Sequence, residues 1–379
     1  MSDHLTRATA LAPIFAERAA IWDRERRYCH DNVADLTRAG LMGMSVPEQF
    51  GGPGLSLTQI VPIIEIVAGA CTLTARILVE GNMGALTAVM SYGTDAQKAQ
   101  WAEGVMSGDK PAICISEPGA GSDARAMTTT ATPAPGGWHL NGVKHWITGG
   151  GISNLHLVFA QTPDGIRGFL TKAGPGLAVT RLERTMGLCG MPEAELTFTD
   201  HFVATDNMLD ASFGDLMGAY NVQRIGAGTI ALGVASGATV LARDHLLDRC
   251  QFDRPLAEFQ GLQWILADMD TELAAARLLL LDAAASGILP DRIKAARAKL
   301  LSSETAIRVV DRALQMFGAA GYGSDTPLER MYRDVRMFTI GGGTAQVLRN
   351  QIAAHVLDRK LSQRSGTFDA GPRGDIAAQ

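Results

Sequence analysis

A chain of 379 residues, 46% hydrophobic and 19% charged, is too long for one simple core and reads as a globular protein of two or three domains. Its net charge of -5 gives no general attraction to nucleic acid or to an anionic membrane, so an anionic ligand has to be caught locally by arginines, helix ends or backbone N–H groups. The five cysteines (Cys29, Cys71, Cys114, Cys189 and Cys250) include no CxxC pair, which argues against a disulfide framework or a cysteine metal site.

At the start of the chain, Asp3, Arg7, Glu17 and Arg18 interrupt any signal-peptide apolar core. The most apolar stretch, 278–281, is bounded by Arg277 and Asp282, so a cytoplasmic protein without a membrane span is expected. From about residue 4 to 107 the pattern is helical. Ile60, Ile63, Ile64 and Val67 repeat at i, i+3, i+4 and i+7, and a loop rich in Gly and Pro covers 45–57. Ser107-Gly108-Asp109-Lys110-Pro111 punctuates the chain, giving an N-terminal α-helical domain over 1–110. Across 111–213, short apolar runs (112–116, 138–140, 155–160, 193–198) are separated by turn residues, and Asn141-Gly142 gives a hairpin signal. This predicts a middle antiparallel, barrel-like β domain. Beyond 214 the period returns to 3.6, with Leu262, Leu266, Met269, Leu273, Ala276 and Leu280 on one stripe and further helices at 292–317 and 344–360. A C-terminal four-helix bundle over 214–362 and a disordered tail over 363–379 complete an α+β fold class in the order α, β, α.

Chemistry enters at Ile115-Ser116-Glu117-Pro118-Gly119-Ala120-Gly121-Ser122-Asp123, where an apolar run meets a turn whose backbone N–H groups can crowd round an anion. Alone it could be an ordinary surface turn. It is followed by Lys144-His145-Trp146-Ile147-Thr148-Gly149-Gly150 and Met186-Gly187-Leu188-Cys189-Gly190-Met191-Pro192, then by Arg249-Cys250-Gln251-Phe252 with Gln260. Gln315-Met316-Phe317-Gly318 and Arg333-Asp334 come last. In this order and spacing, from about residue 10 to 360, the chain resembles the acyl-CoA dehydrogenase family.

That resemblance implies FAD. It places the flavin site on 113–122, including Ile113, Ile115, Ser116 and Ser122, with Ser116 on the pyrimidine edge, Trp146 against the ring and Thr148 at flavin N5. Trp146 could equally be strand core, and Thr148 a plain strand hydroxyl. The adenosine and pyrophosphate positions fall on Arg249, Phe252, Gln260, Gln315 and Ala319, and on Thr344 and Gln346 at the head of the last helix. In the family these groups serve a neighbouring subunit, which implies a homo-oligomer, specifically a tetramer. Asp253 stands where the family commonly has glycine.

Dehydrogenation of an acyl thioester needs a carboxylate facing the flavin to take the α-proton. The family's two places for it fall here on Gly342, in Ile340-Gly341-Gly342-Gly343-Thr344, and on Gln223 before Arg224. Neither can accept a proton. The strings 109–118 and 146–151 and the Phe338-Thr339-Ile340 run resemble one subgroup of the family, the 3-sulfinopropionyl-CoA desulfinases, which release sulfite and leave propionyl-CoA, formally a hydrolysis. The subgroup's sulfinate-holding arginine matches Arg76, whose plainer reading is an i,i+4 salt bridge to Glu80; both can hold at once. The expected substrate contacts are therefore Arg76, Glu80, Ser122, Gln223 and Arg224, with no metal and no electron-transfer flavoprotein needed. Two other readings stay open: an acyl-CoA or acyl-carrier dehydrogenase with a relocated base such as Glu80, and a non-catalytic flavin or acyl-CoA binding protein.

Overall fold

The apolar spacing of the first third produces helices α1 (Asp3–Glu25), α2 (His30–Arg38), α3 (Leu57–Ala70), α4 (Thr72–Glu80), α5 (Ala85–Tyr92) and α6 (Asp95–Met106). The structure is a computed structural model describing residues 3–361, so the tail expected over 363–379 lies outside the described residues. Ile60, Ile63, Ile64 and Val67 are all buried on α3, as their spacing requires. The starts of α3 and α6 are fixed by capping boxes, Ser56 with Gln59 and Thr94 with Gln97, which satisfy backbone N–H groups that a helix leaves free.

The middle of the chain forms strands β1 (Ala112–Cys114), β2 (Thr130–Ala134), β3 (Gly137–Thr148), β4 (His156–Thr162), β5 (Gly165–Thr171), β6 (Leu177–Leu182) and β7 (Glu193–Ala204). They pair in the order β1-β4-β2-β3-β7-β6, with β5 on β4. The sheet is mixed. Its pairings are antiparallel except that β4 runs parallel to β1 and β2, because the chain completes the β2–β3 hairpin before returning beside β1. The expected hairpin turn at Asn141-Gly142 is corrected. Both residues lie inside β3, and the β2–β3 turn is at Pro135-Gly136. Asn141-Gly142 marks a register shift against β7, and a Cβ on Gly142 would lie 2.6 Å from Thr129.

The rest of the chain contains α7 (Phe213–Asp248), β8 (Cys250–Gln251), β9 (Arg254–Pro255), α8 (Gln260–Ala284), α9 (Arg292–Met316), α10 (Ala319–Tyr322), α11 (Pro327–Val335) and α12 (Ala345–Leu357). Helices α7, α8 and α9 pack on one another and α12 packs on α9, forming the bundle. The longest apolar helix is α7, not the 278–281 stretch. It is long and apolar enough to cross a membrane, yet most of its apolar window is buried inside the protein, as in a core helix. At the crossing of α3 and α7, a Cβ on Gly237 would lie 2.5 Å from the Gly69 carbonyl oxygen, and one on Gly233 2.4 Å from the Glu65 carbonyl oxygen. Only glycine permits this approach, which docks the first helices on the bundle and brings α4 beside α7.

Candidate active site

Arg76 and Glu80 lie one turn apart on α4, and their side chains form an ion pair at 2.8 Å with little exposure of either. The same Glu80 oxygen accepts a hydrogen bond from Gln223 Nε2 of α7 at 2.8 Å. Arg76 Nη2 also donates to Thr148 Oγ1 at 3.3 Å, at the end of β3. The Thr148 hydroxyl in turn lies 2.9 and 3.0 Å from the two carboxylate oxygens of Glu193, the first residue of β7. Lys110, buried just ahead of β1, donates to the Thr148 carbonyl oxygen at 2.8 Å. One knot thus ties the first helices, the sheet and the bundle together.

Charge in this knot is set by burial and by neighbours. Burial pushes the Glu193 carboxyl up to about 7, outweighing Arg76, Thr148 and Lys110, which favour its ionised form; nearby Glu80 adds to the rise. Burial pulls the Lys110 ammonium down from its ordinary value. Two buried polar atoms, Arg76 Nε and Gln223 Oε1, have no hydrogen-bond partner among the described residues. Such atoms are rare in folded proteins and mark where a bound group can complete the pairing. Gly84, with φ +63°, lets the chain pass beside Gln223, since a Cβ there would lie 2.5 Å from Gln223 Oε1.

Gly342 and Gly343 turn the chain ahead of α12 with φ of +74° and +90°. The Gly343 carbonyl accepts from Lys299 Nζ at 2.7 Å, and that of Gly342 from Arg224 Nε at 3.4 Å. Arg224 also donates to Asn221 at 2.9 Å and Gln351 at 3.1 Å, so these bonds hold it on the bundle side and not with Arg76. Lys299 is fully buried, and burial together with Arg224 lowers its ammonium to about 7. Neither Gln223 nor Gly342 supplies a carboxylate. The carboxylate bonded to Gln223 is Glu80, already engaged by two donors.

The residues expected round a flavin ring are brought together by the sheet. A buried ion pair between Lys144 Nζ and Glu117 Oε1 at 2.9 Å clamps the 117–120 turn to β3, and the His145 N–H donates to the Ser116 carbonyl at 2.9 Å. Next comes Trp146, whose φ of +58° falls in the register shift between Lys144 and Ile147. The bulge leaves the indole 54% exposed, stacked on His145 at 5.1 Å. Ile115 is buried, Ile113 and Ser116 are half-buried, and Ser122 is exposed. An open indole, the half-buried Ser116 and the unpaired polar atoms beside Arg76 fit a planar, hydrogen-bonding ring.

Arg249, Phe252, Gln260, Gln315 and Ala319 are all exposed. The His245–Phe317 stack, at 4.0 Å, joins the ends of α7 and α9 and gathers these residues at one end of the bundle. Phe252 and Asp253, with φ of +52° and +58°, form the two-residue turn between β8 and β9. The family's glycine suits such a backbone, and aspartate is among the few residues that tolerate it. Thr344 caps α12 by accepting from Val347 N at 3.2 Å, and with Gln346 and Arg336 it lines a cleft of about 350 Å³.

Sequence reasoning missed Glu193, Lys110 and Lys299 as site residues. Glu193 opens the apolar run 193–198 and Lys110 lies in the 107–111 turn, neither of which signals a chemical role, and Lys299 looks like one more helix cation. Among the described residues, no group of His, Cys, Asp or Glu could hold a metal ion.

Residues 6–109, 112–201 and 213–357 match the acyl-CoA dehydrogenase N-terminal, middle and C-terminal domains in turn. The 3-sulfinopropanoyl-CoA desulfinase of Paraburkholderia xenovorans (strain LB400) is 51% identical over 363 residues, covering 92% of this chain and 93% of that protein. The enzyme of the same name from Advenella mimigardefordensis is 50% identical over 383 residues, covering 96% of each. Among solved structures, butyryl-CoA dehydrogenase from Megasphaera elsdenii superposes with a TM-score of 0.90 at 30% identity, covering 94% of this chain and 99% of that one.

Proposed function

The chain belongs to the acyl-CoA dehydrogenase family, and we propose that it is an FAD-containing desulfinase converting 3-sulfinopropionyl-CoA to propionyl-CoA and sulfite. One observation carries this reading. The two base positions hold Gln223 and Gly342, while Arg76 offers a largely buried guanidinium held in place by Glu80. Without a carboxylate to take the α-proton, α,β-dehydrogenation stalls. A fixed guanidinium fork, by contrast, suits the two oxygens of a sulfinate. The relatives named desulfinases point the same way.

FAD, when bound, supplies a planar redox-active ring against which an acyl thioester can lie. Ser116, Trp146 and Thr148 would hold that ring, with Ile113, Ile115 and Ser122 beside it. Arg249, Phe252, Gln260, Gln315 and Ala319 would hold the adenosine end, and Thr344 and Gln346 the head of α12. Arg76 would grip the sulfinate, Glu80 would fix the guanidinium, and the Gln223 amide would orient the acyl group where a base otherwise stands. Arg224 would act from behind by holding the Gly342 turn.

Arg249 stands 26 residues beyond Gln223 along α7, or about 39 Å at 1.5 Å per residue. One extended cofactor does not span that distance within a single chain. A second copy, and by family likeness a homotetramer, would complete each site. Because carbon–sulfur cleavage involves no net oxidation, no electron-transfer flavoprotein is needed, and a cytoplasmic setting suits the free thiols.

The test is sulfite release from synthetic 3-sulfinopropionyl-CoA by the purified, flavin-loaded protein. Stoichiometric sulfite and propionyl-CoA are expected. No sulfite from protein with FAD bound would sink the reading. Bleaching of the visible flavin band by butyryl-CoA would instead favour a dehydrogenase with a relocated base.

A further inference from the structure

A desulfinase needs a proton as well as an anion grip, and the knot round Arg76 contains a group that the reading above leaves unused. We infer that Glu193 is the proton store of the site and works through the Thr148 hydroxyl, which hands the proton to the carbon that loses sulfur. This rests on the desulfinase reading. Glu193 is therefore a positioning residue, and Thr148 is the group that meets the substrate.

Thr148 Oγ1 lies 3.3 Å from Arg76 Nη2 and 2.9 Å from Glu193 Oε1. A sulfinate gripped by Arg76 brings its carbon–sulfur bond next to that hydroxyl, and the hydroxyl is one hydrogen bond from the carboxyl. Thr148 and Glu193 are held in this relation by direct pairing of β3 with β7.

The charges that act most on Glu193 are Arg76 and Glu80 from α4 and Lys110 from the segment before β1, while β3 contributes the neutral Thr148. Beyond the end of β6, Glu183 donates its backbone N–H to the Glu193 carbonyl and pairs its own carboxylate with His145 and Arg181. With every group ionised, two cations balance two carboxylates. An incoming sulfinate adds one negative charge, and protonation of Glu193 restores the balance. Burial already raises this carboxyl to about 7, so it is the group poised to take up that proton.

The step balances. As the carbon–sulfur bond breaks, its electron pair stays on carbon, which takes the proton from Thr148 while Glu193 resupplies the hydroxyl. Sulfur leaves as sulfur dioxide, and water hydrates it to hydrogen sulfite and a proton, which reloads Glu193. No external oxidant or reductant is required.

Succinyl-CoA, whose carboxylate replaces the sulfinate, probes binding without turnover. Calorimetry at pH 8 in buffers of different ionisation enthalpy should show uptake of about one proton per site by the FAD-loaded protein, and none for Glu193→Gln or with propionyl-CoA as ligand. In turnover, the protonated acid is the active form, so wild-type sulfite release should fall as pH rises through the alkaline range. Glu193→Gln should be slowed about 100-fold and lose that limb, because an amide does not titrate. Thr148→Val should be slowed comparably, while Thr148→Ser retains most of the rate.

Equal proton uptake with and without Glu193, or an unchanged rate and pH profile in Thr148→Val, overturns the proposal. If Glu193→Gln does not fold, the Thr148 pair decides the matter when the rates are compared per bound FAD, because Thr148 would also hold the ring. Proton uptake without any sulfite from wild type counts against the desulfinase reading alone. Sulfite without uptake, and with an unchanged Glu193→Gln profile, counts against Glu193 alone.

Discussion

At the scale of residues, the decisive contrast is between a fork and a point charge at position 76. Arg76 divides its donors between Glu80 and Thr148 and still keeps Nε without a partner among the described residues, a geometry that a single ammonium cannot reproduce. Arg76→Lys keeps the charge, so Glu80 is not left as an uncompensated buried carboxylate and the fold should hold. Loss of one charge-assisted hydrogen bond, about 1.5–3 kcal/mol, predicts a fall of about 10- to 100-fold in kcat/KM for 3-sulfinopropionyl-CoA. Affinity for propionyl-CoA, which has no terminal anion, should stay close to wild type. An equal loss on both ligands would mean that Arg76 shapes the pocket without reading the anion. The Arg76–Glu80 pair was legible in the sequence because i and i+4 share a helix face. Glu193 was not legible, because its neighbour Thr148 is 45 residues away and the two meet only through the register of β3 on β7.

At the scale of elements, the site depends on how closely α3 and α7 approach, since α4 follows α3 directly and carries Arg76 and Glu80 toward Gln223. Gly233→Ala would place a Cβ 2.4 Å from the Glu65 carbonyl oxygen and 2.6 Å from Ala68 Cβ, so the helices must part. Against a backbone oxygen that cannot move aside, overpacking toward the upper end of about 1–3 kcal/mol outweighs the roughly 1 kcal/mol that alanine gains over glycine inside a helix. Gly218→Ala, on the same helix, meets nothing within 4 Å and should collect that gain. Urea unfolding midpoints of the two variants should move in opposite directions, down for Gly233→Ala and up for Gly218→Ala. Movement in the same direction would show that α7 is not pinned at this crossing. The apolar stripes of α3 and α8 were legible because a period of 3.6 leaves a mark in sequence. Asn141-Gly142 misled because a hairpin turn and a bulge both call for a backbone that glycine adopts easily, and only the contact with Thr129 distinguishes them.

At the scale of the whole molecule, the two halves of the expected cofactor site sit far apart on one long helix, and that separation makes a prediction about assembly. On the proposed reading the ring half would lie at the Arg76–Gln223 knot and the adenosine half at the far end of α7, where Phe252 is 87% exposed. A site completed by a second copy combines the ring half of one chain with the adenosine half of its neighbour. Trp146→Asp should therefore empty the ring half of its own chain, while Arg249→Glu with Phe252→Asp should spoil only the half that a chain lends. Each variant made alone should purify without flavin. Their exposed positions leave the fold intact, which circular dichroism would check. When the two are co-expressed and mixed oligomers are isolated through different tags, each mixed pair holds one doubly defective site and one fully intact site. Flavin should then return to about half of the sites, a stoichiometry set by shared two-fold interfaces. Were both halves used within one chain, every site would carry a defect, the mixed oligomers would stay colourless, and the cofactor would lie elsewhere than at the two ends of α7.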